Sequence, residues 1–282
     1  MAFRGTRSLE RLRLALRSRL CVLVAAGLIG VTAAASAIAT DRFDVVVLDA
    51  GHGGHDEGAT GPSGLHEKDL VLDVARRLAH RLRARGLRVV LTREDDRFLS
   101  LEQRTAVAND ARADLFLSIH ANASRSTRPK GVETYFAALD ATDEDARRVA
   151  ERENSALGAR APAAPRPDAL AAILGDLIET QHLQESSEFA KLAQRELATV
   201  DRARSRGVKQ APFVVLMGVQ MPASLVEIGF LTNPSEERGL RQSHQREAIA
   251  KALAEAVNAF ARRYDARRGV RSTSSRRGET DR

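Results

Sequence analysis

Short apolar runs alternate along this chain with segments whose apolar residues recur every fourth position, and that alternation leaves few folds open. "FDVVVLDA" (43–50), "LRVVLTR" (87–93) and "ADLFLSIHAN" (113–122) read as buried strands. Between the first two, Glu67 to Arg85 sets Leu70, Val74, Leu78 and Leu82 on one face with arginines on the others, an amphipathic helix stopped by Gly86. Leu101 to Asn109 reads as a second helix, and "GVETYF" (131–136) alternates as a half-exposed strand should. The pattern resumes late with strands at "PFVVLM" (212–217) and "ASLVEIGFL" (223–231) and a closing helix from His244 to about Tyr264. Strand–helix alternation of this kind predicts an α/β fold, an open, mostly parallel sheet flanked by helices on both faces.

One stretch breaks the rule. Some 75 residues separate "GVETYF" from "PFVVLM", where a crossover needs about a dozen. "DEDARRVAERENSALG" (143–158) reads as a polar helix, "APAAPRP" as a linker and "DALAAILGDLIETQ" (168–181) as a strongly amphipathic helix. "SSEFAKLAQRELATV" (186–200) reads instead as a helix that packs on the sheet. The expected organisation is a leader over 1–39, a folded domain over 40–265 with a helical insertion at about 140–185, and a basic tail over 266–282.

Both ends of the chain carry its positive charge. The net charge is +7. Residues 1–40 hold six arginines against one glutamate, and 262–282 hold eight against three acids, which leaves the middle at −3. A nucleic-acid-binding domain is therefore not expected. The Arg-rich start, the apolar run Leu20–Ala39 and the small residues Ala35-Ser36-Ala37 and Ala37-Ile38-Ala39 read as a cleaved export signal, implying a periplasmic protein with no stable membrane span. An uncleaved anchor is the alternative, since about twenty apolar residues can cross a bilayer. Cys21, the single cysteine, lies inside that leader, so a processed chain has neither disulfides nor thiolate metal ligands.

In open α/β sheets, ligands bind beyond the carboxyl ends of the strands. The first strand runs into "DAGHGGHDEG", which presents His52. "DLFLSIH" ends at His120, "SLVEI" carries Glu227 near its end, and Glu67 opens the first long helix. Two imidazoles with a carboxylate form a recurrent catalytic zinc set with one position left for water. Taken singly each residue is weak evidence: a loop histidine is more often solvated, and Glu67 has a helix-dipole role open to it. Glu227, between Val226 and Ile228, is harder to dismiss, because a buried carboxylate without a partner is costly. His55, His66 and Glu57 stand in the same loop as substitutes. "GHGGHDEG" lacks the spacing of a phosphate cradle, and no GxSxG serine elbow occurs.

"LDAGHGGHDEGATG", "HEKDLVLDVARRL", "LFLSIHAN", "GVETYF" and "SLVEIGFLTNPSEE", in this order, resemble the zinc-dependent N-acetylmuramoyl-L-alanine amidases of the amidase-3 family, over about residues 43–264. The resemblance implies that His52, Glu67 and His120 hold one zinc ion and that Glu227 is the catalytic acid/base. The implied reaction is hydrolysis of the amide between the muramic-acid lactyl group and L-alanine in peptidoglycan. Family members that separate daughter cells carry a helical insertion here that covers the site until an activator with a degenerate LytM domain displaces it. By that likeness Glu151 or Glu153 is expected to take the water position, in a protein acting as a monomer. The rival readings are a zinc peptidase cutting within the stem peptide and a non-catalytic wall-binding scaffold.

Overall fold

The computed structural model describes residues 42–155 and 180–270; the leader, residues 156–179 of the insertion and tail residues 271–282 lie outside them. In chain order the elements are β1 (Val45–Ala50), α1 (Glu67–Arg83), β2 (Arg88–Leu91), α2 (Leu101–Asp110), β3 (Leu115–Asn122), β4 (Val132–Ala137) and α3 (Glu144–Asn154). They continue with α4 (Thr180–Thr199), β5 (Ser205–Ala211), α5 (Val214–Met217), β6 (Ala223–Phe230), α6 (Pro234–Leu240) and α7 (Ser243–Arg267). The six strands form one sheet in the order β2-β1-β3-β6-β4-β5, with every pairing parallel except β4–β6. The chain leaves β1 for β2 on one side and returns to β3 on the other. That places a topological switch point between β1 and β3, where such sheets open a crevice.

Helices cover both faces, as expected. Val46, Leu48 and Ala50 of β1 pack with Leu70, Val74 and Leu78 of α1, Phe189 and Leu192 of α4, and Leu253 and Phe260 of α7. Val45 and Val47 face the other way, toward Leu101 of α2, Val149 of α3 and Val215 of α5. This period-two division puts His120, Glu133 and Glu227 on the α3 side: the register pairs His120 with Glu227, and Glu227 with Glu133, across three adjacent strands.

Side-chain caps fix two helix starts. Ser100 accepts from the Gln103 amide at 3.3 Å while the Gln103 side chain returns to the Ser100 amide, a capping box that opens α2. Asp143 accepts from the Ala146 amide at 2.7 Å and starts α3.

Three expectations are corrected. "PFVVLM" is not a strand: Phe213 leads into α5, a single turn of helix that buries Val215, Leu216 and Met217. An apolar run of this length fits either a strand or a buried helical turn, and periodicity cannot separate the two. The strand belongs to β5, "SRGVKQA", a sheet-edge segment whose mostly polar residues hid it. "GVETYF" is not half-exposed, because β4 lies between β6 and β5, and only Phe136 within the strand is less than buried. The closing helix continues through Arg267, three residues past its expected end at about Tyr264. Among the described residues no helix is long and apolar enough to cross a membrane.

Candidate metal and catalytic site

β1 ends in a loop whose backbone is gripped by two buried arginines. Arg93 donates to the carbonyls of Ala50 (2.9 Å) and Gly51 (2.8 Å). Arg104 donates to those of Ala50 and His52, both at 2.7 Å, and to Asp49 Oδ1 at 2.7 Å. Burial alone would raise the Asp49 pKa, but Arg104 and Thr92 outweigh it and hold the carboxyl below its ordinary range. The clamp keeps His52 at φ +57°, a left-handed conformation rare outside glycine. Gly51 must be glycine for another reason: a Cβ there would stand 2.3 Å from the His120 ring.

Four side chains meet at this rim. His52 Nε2, Glu67, His120 Nδ1 and Glu153 each offer one ligand atom, and all four atoms lie within 4.8 Å of one another. His120 Nδ1 is 3.0 Å from both Glu67 Oε1 and Glu153 Oε2; His52 Nε2 is 3.1 and 3.2 Å from the same two oxygens. His52 Nε2 nonetheless makes no directed hydrogen bond, and neither does Glu153 Oε2. Buried polar atoms left this way while converging on one point suit a shared cation. The supporting bonds set the right lone pairs free. His52 Nδ1–H donates to Asp56 Oδ2 at 2.9 Å, which turns Nε2 inward as an acceptor. Glu67 accepts from the amides of Ala59 (2.8 Å) and Ala121 (2.9 Å), so its carboxylate is fixed from two loops.

The electrostatics agree. Burial would lower the pKa of both imidazoles, but the carboxylates win: His52 is raised strongly by Glu67 and Asp56, and His120 is pushed to about 10 by Glu153 and Glu67. Glu67, despite burial, is drawn down to about 2 by His52 and His120. Two carboxylates thus attract positive charge onto two imidazoles, and a divalent cation can take the place of two protons. Asp56→Ala should lower metal affinity about 10–100-fold, measured by chelator competition on folded protein, because the second-sphere acceptor that orients His52 is lost.

Glu227 stands one strand from His120, fully buried, with neither oxygen hydrogen-bonded. Burial raises its pKa well above the carboxylate range and Glu153 adds to that, against opposition from Arg152. α3 lies over the cluster because its sheet-facing stripe Ala146, Val149, Ala150 continues at helical spacing into Glu153. Glu153 Oε1 accepts from Arg152 Nε at 2.9 Å. The Arg152 guanidinium also donates to the Ala123 carbonyl (2.8 Å) and Asn122 Oδ1 (3.2 Å) and lies 3.5 Å from Glu227 Oε1.

Of the expected residues, His52, Glu67 and His120 come together with Glu227 beside them. Of the two insertion carboxylates, Glu153 joins the cluster. Glu151 does not: it is exposed, on the face of α3 turned from the sheet. His55 stacks on Phe98 (centroids 4.3 Å apart) and His66 bonds Thr60 Oγ1 at 3.1 Å, so both stand apart from the site; Glu57 is exposed. Asp56, Arg104, Arg152 and Glu133 were not anticipated. Asp56 alone carried a local signal, an acid four residues after a candidate ligand.

A carboxyl-edge site of this make-up on an open α/β sheet defines a hydrolytic enzyme able to take a metal ion. The chain belongs to the N-acetylmuramoyl-L-alanine amidase family (amidase-3), whose profile matches residues 46–259. The N-acetylmuramoyl-L-alanine amidase AmiA of Escherichia coli strain K12 is 37% identical over 223 residues, 78% of this chain and 77% of that protein. AmiC of Neisseria meningitidis serogroup B is 36% identical over 78% of this chain, which spans about half (53%) of that longer relative. The crystal structure of an N-acetylmuramoyl-L-alanine amidase from Clostridium difficile 630 aligns with a TM-score of 0.60 at 29% identity, covering 78% of this chain and 97% of that one.

Proposed function

We propose that this chain is an exported, periplasmic peptidoglycan hydrolase that cleaves the amide between N-acetylmuramic acid and L-alanine with one zinc ion, in daughter-cell separation, and that α3 holds it in a resting state. The observation that carries the reading is the convergence of His52 Nε2, His120 Nδ1, Glu67 and Glu153 on one point beside the buried Glu227. Imidazole and carboxylate donors, with no thiolate, suit zinc, and His52, Glu67 and His120 would hold it in the working enzyme. Bound there, zinc supplies a Lewis acid for the scissile carbonyl and lowers the pKa of the attacking water toward about 7.

The remaining work falls to the chain. Glu227 takes the water's proton and returns it to the departing alanine nitrogen, and the raised pKa that burial gives it suits a carboxylate that must hold a proton briefly. Asp56 keeps His52 in the tautomer that faces inward, and the amides of Ala59 and Ala121 keep Glu67 in place. In the resting state Glu153 stands where water must enter, while Arg152 engages Glu227. An activator with a degenerate LytM domain, bound at the helical insertion, is the partner we assign to the displacement of α3. The protein acts as a monomer, with the leader over 1–39 removed and the tail outside the catalytic domain.

Incubation of the processed protein with purified peptidoglycan, with and without chelator, tests the reading by mass analysis of the products. Free stem peptides beginning at L-alanine are expected, and chelator should abolish them. Shortened peptides would make the protein a peptidase, and no product from a zinc-loaded Glu153→Ala variant would make it a scaffold.

A further inference from the structure

A groove of about 960 Å³ opens between the 122–131 loop, α3 and β5. One cation is built into its wall. Arg206 of β5 is ion-paired to the buried Glu133, and its guanidinium lies over the Phe230 ring, 5.2 Å from the centroid. Glu133 is held in turn by Asn122 Nδ2 at 3.1 Å and by the Tyr135 hydroxyl, so the arginine has a rigid backing. Lys209 Nζ stands 3.4 Å from the same carboxylate. Two cations thus share one buried anion. The charge is balanced from α3: Asp145 Oδ2 lies 3.5 Å from Arg206, and the α3 cap Asp143 lies 3.1 Å from Lys209.

Displacement of α3 would remove both aspartates and leave Arg206 and Lys209 against Glu133, with Glu236 shared between Arg206 and Lys130. One unmatched positive charge then faces the groove in a half-buried place, where an anion is strongly favoured. Position says which anion. Glu133 is the register partner of Glu227, and such pairs stand about 4.5–5.5 Å apart at Cα. Arg206 stands on β5, two strands from the acid/base, and its guanidinium reaches back over one of them to pair with Glu133. An extended peptide advances about 3.3–3.6 Å per residue, so a group that reaches Arg206 from the cleaved bond belongs to the second residue of the peptide. α3 already places an acid there, Asp145, which Arg148 of the same helix also holds.

We propose that Arg206 is the specificity-determining cation of the opened cleft, receiving a free carboxylate on the residue after L-alanine in the place Asp145 holds in this structure. The inference rests on the peptidoglycan reading above. It is tested in the full chain carrying Asp145→Asn and Glu153→Ala, which cut both α3 contacts. The probes are two synthetic muramoyl peptides that differ only in a carboxylate or a carboxamide on that second residue. The acid should be preferred about tenfold or more in kcat/KM, as a charge-assisted hydrogen bond allows. Arg206→Gln should erase the preference by raising KM for the acid, with kcat and the amide substrate little changed. Arg206→Lys should restore part of it. Lys209 remains to pair with Glu133, which protects the fold of both variants. Calorimetric binding of the two peptides to the same proteins reads the site even if turnover fails. Absence of turnover with acid-selective binding would count against the hydrolytic reading alone. An unchanged preference in Arg206→Gln, or equal losses on both peptides, would overturn the assignment.

Discussion

Glu227→Gln should bind zinc like the parent and lose about 10²- to 10⁴-fold in turnover, the range over which a positioned acid/base contributes. The substitution keeps the shape of the side chain and removes its ability to accept a proton. Glu227 is fully buried between Val226 and Ile228, and none of its oxygens supports another group through a hydrogen bond. Folding should therefore be preserved, and an uncharged amide relieves the repulsion between Glu227 and Glu153. The informative measurement pairs zinc content by mass spectrometry with release of stem peptides from peptidoglycan in a chain also carrying Glu153→Ala. A rate near that of the Glu153→Ala parent would remove Glu227 from the mechanism, and loss of zinc would make it a ligand instead.

Glu153→Ala should raise the basal rate of the otherwise intact chain about a hundredfold. Breaking a buried, charge-paired contact shifts an equilibrium by about 3 kcal/mol, and each 1.4 kcal/mol is tenfold. Glu153 is in such a contact with His52, His120 and Arg152, and it is the one member of the cluster supplied by α3. Glu151→Ala is the matched control, since that carboxylate is exposed on the opposite face and should leave the rate unchanged. Equal rates for the two variants would end the case for α3 as a block. A rise in both would move the block to the helix as a whole.

Much of this site was legible because its parts sit where strand ends must bring them. His52, His120 and Glu227 each follow or close an apolar run, and parallel strands deliver their carboxyl ends to one edge. Glu67 was legible for a similar reason, opening the helix that returns to that edge. The residues missed depend on pairings that no local pattern encodes. Glu133 gains its meaning from standing opposite Glu227 on an antiparallel neighbour, and β5 was overlooked because an edge strand needs no apolar alternation. Arg93 and Arg104 look like surface charges in sequence, yet both are buried to hold loop carbonyls. The choice between Glu151 and Glu153 turned on helix phase, which Ala146, Val149 and Ala150 set once they were seen to pack on the sheet.

A candidate ligand set divided between the sheet and a helix that moves as proposed would tie two equilibria together. His52, Glu67 and His120 belong to the body of the domain, while Glu153 arrives with α3. Whatever draws α3 away also removes a ligand, and by reciprocity a bound ion draws α3 back. Ion retention and closure would thus strengthen each other, and a working form with α3 displaced would hold its ion on three protein ligands in place of four. On the function proposed above, free zinc around the wall would then set how long an opened molecule stays competent, giving the activity a lifetime in addition to its trigger.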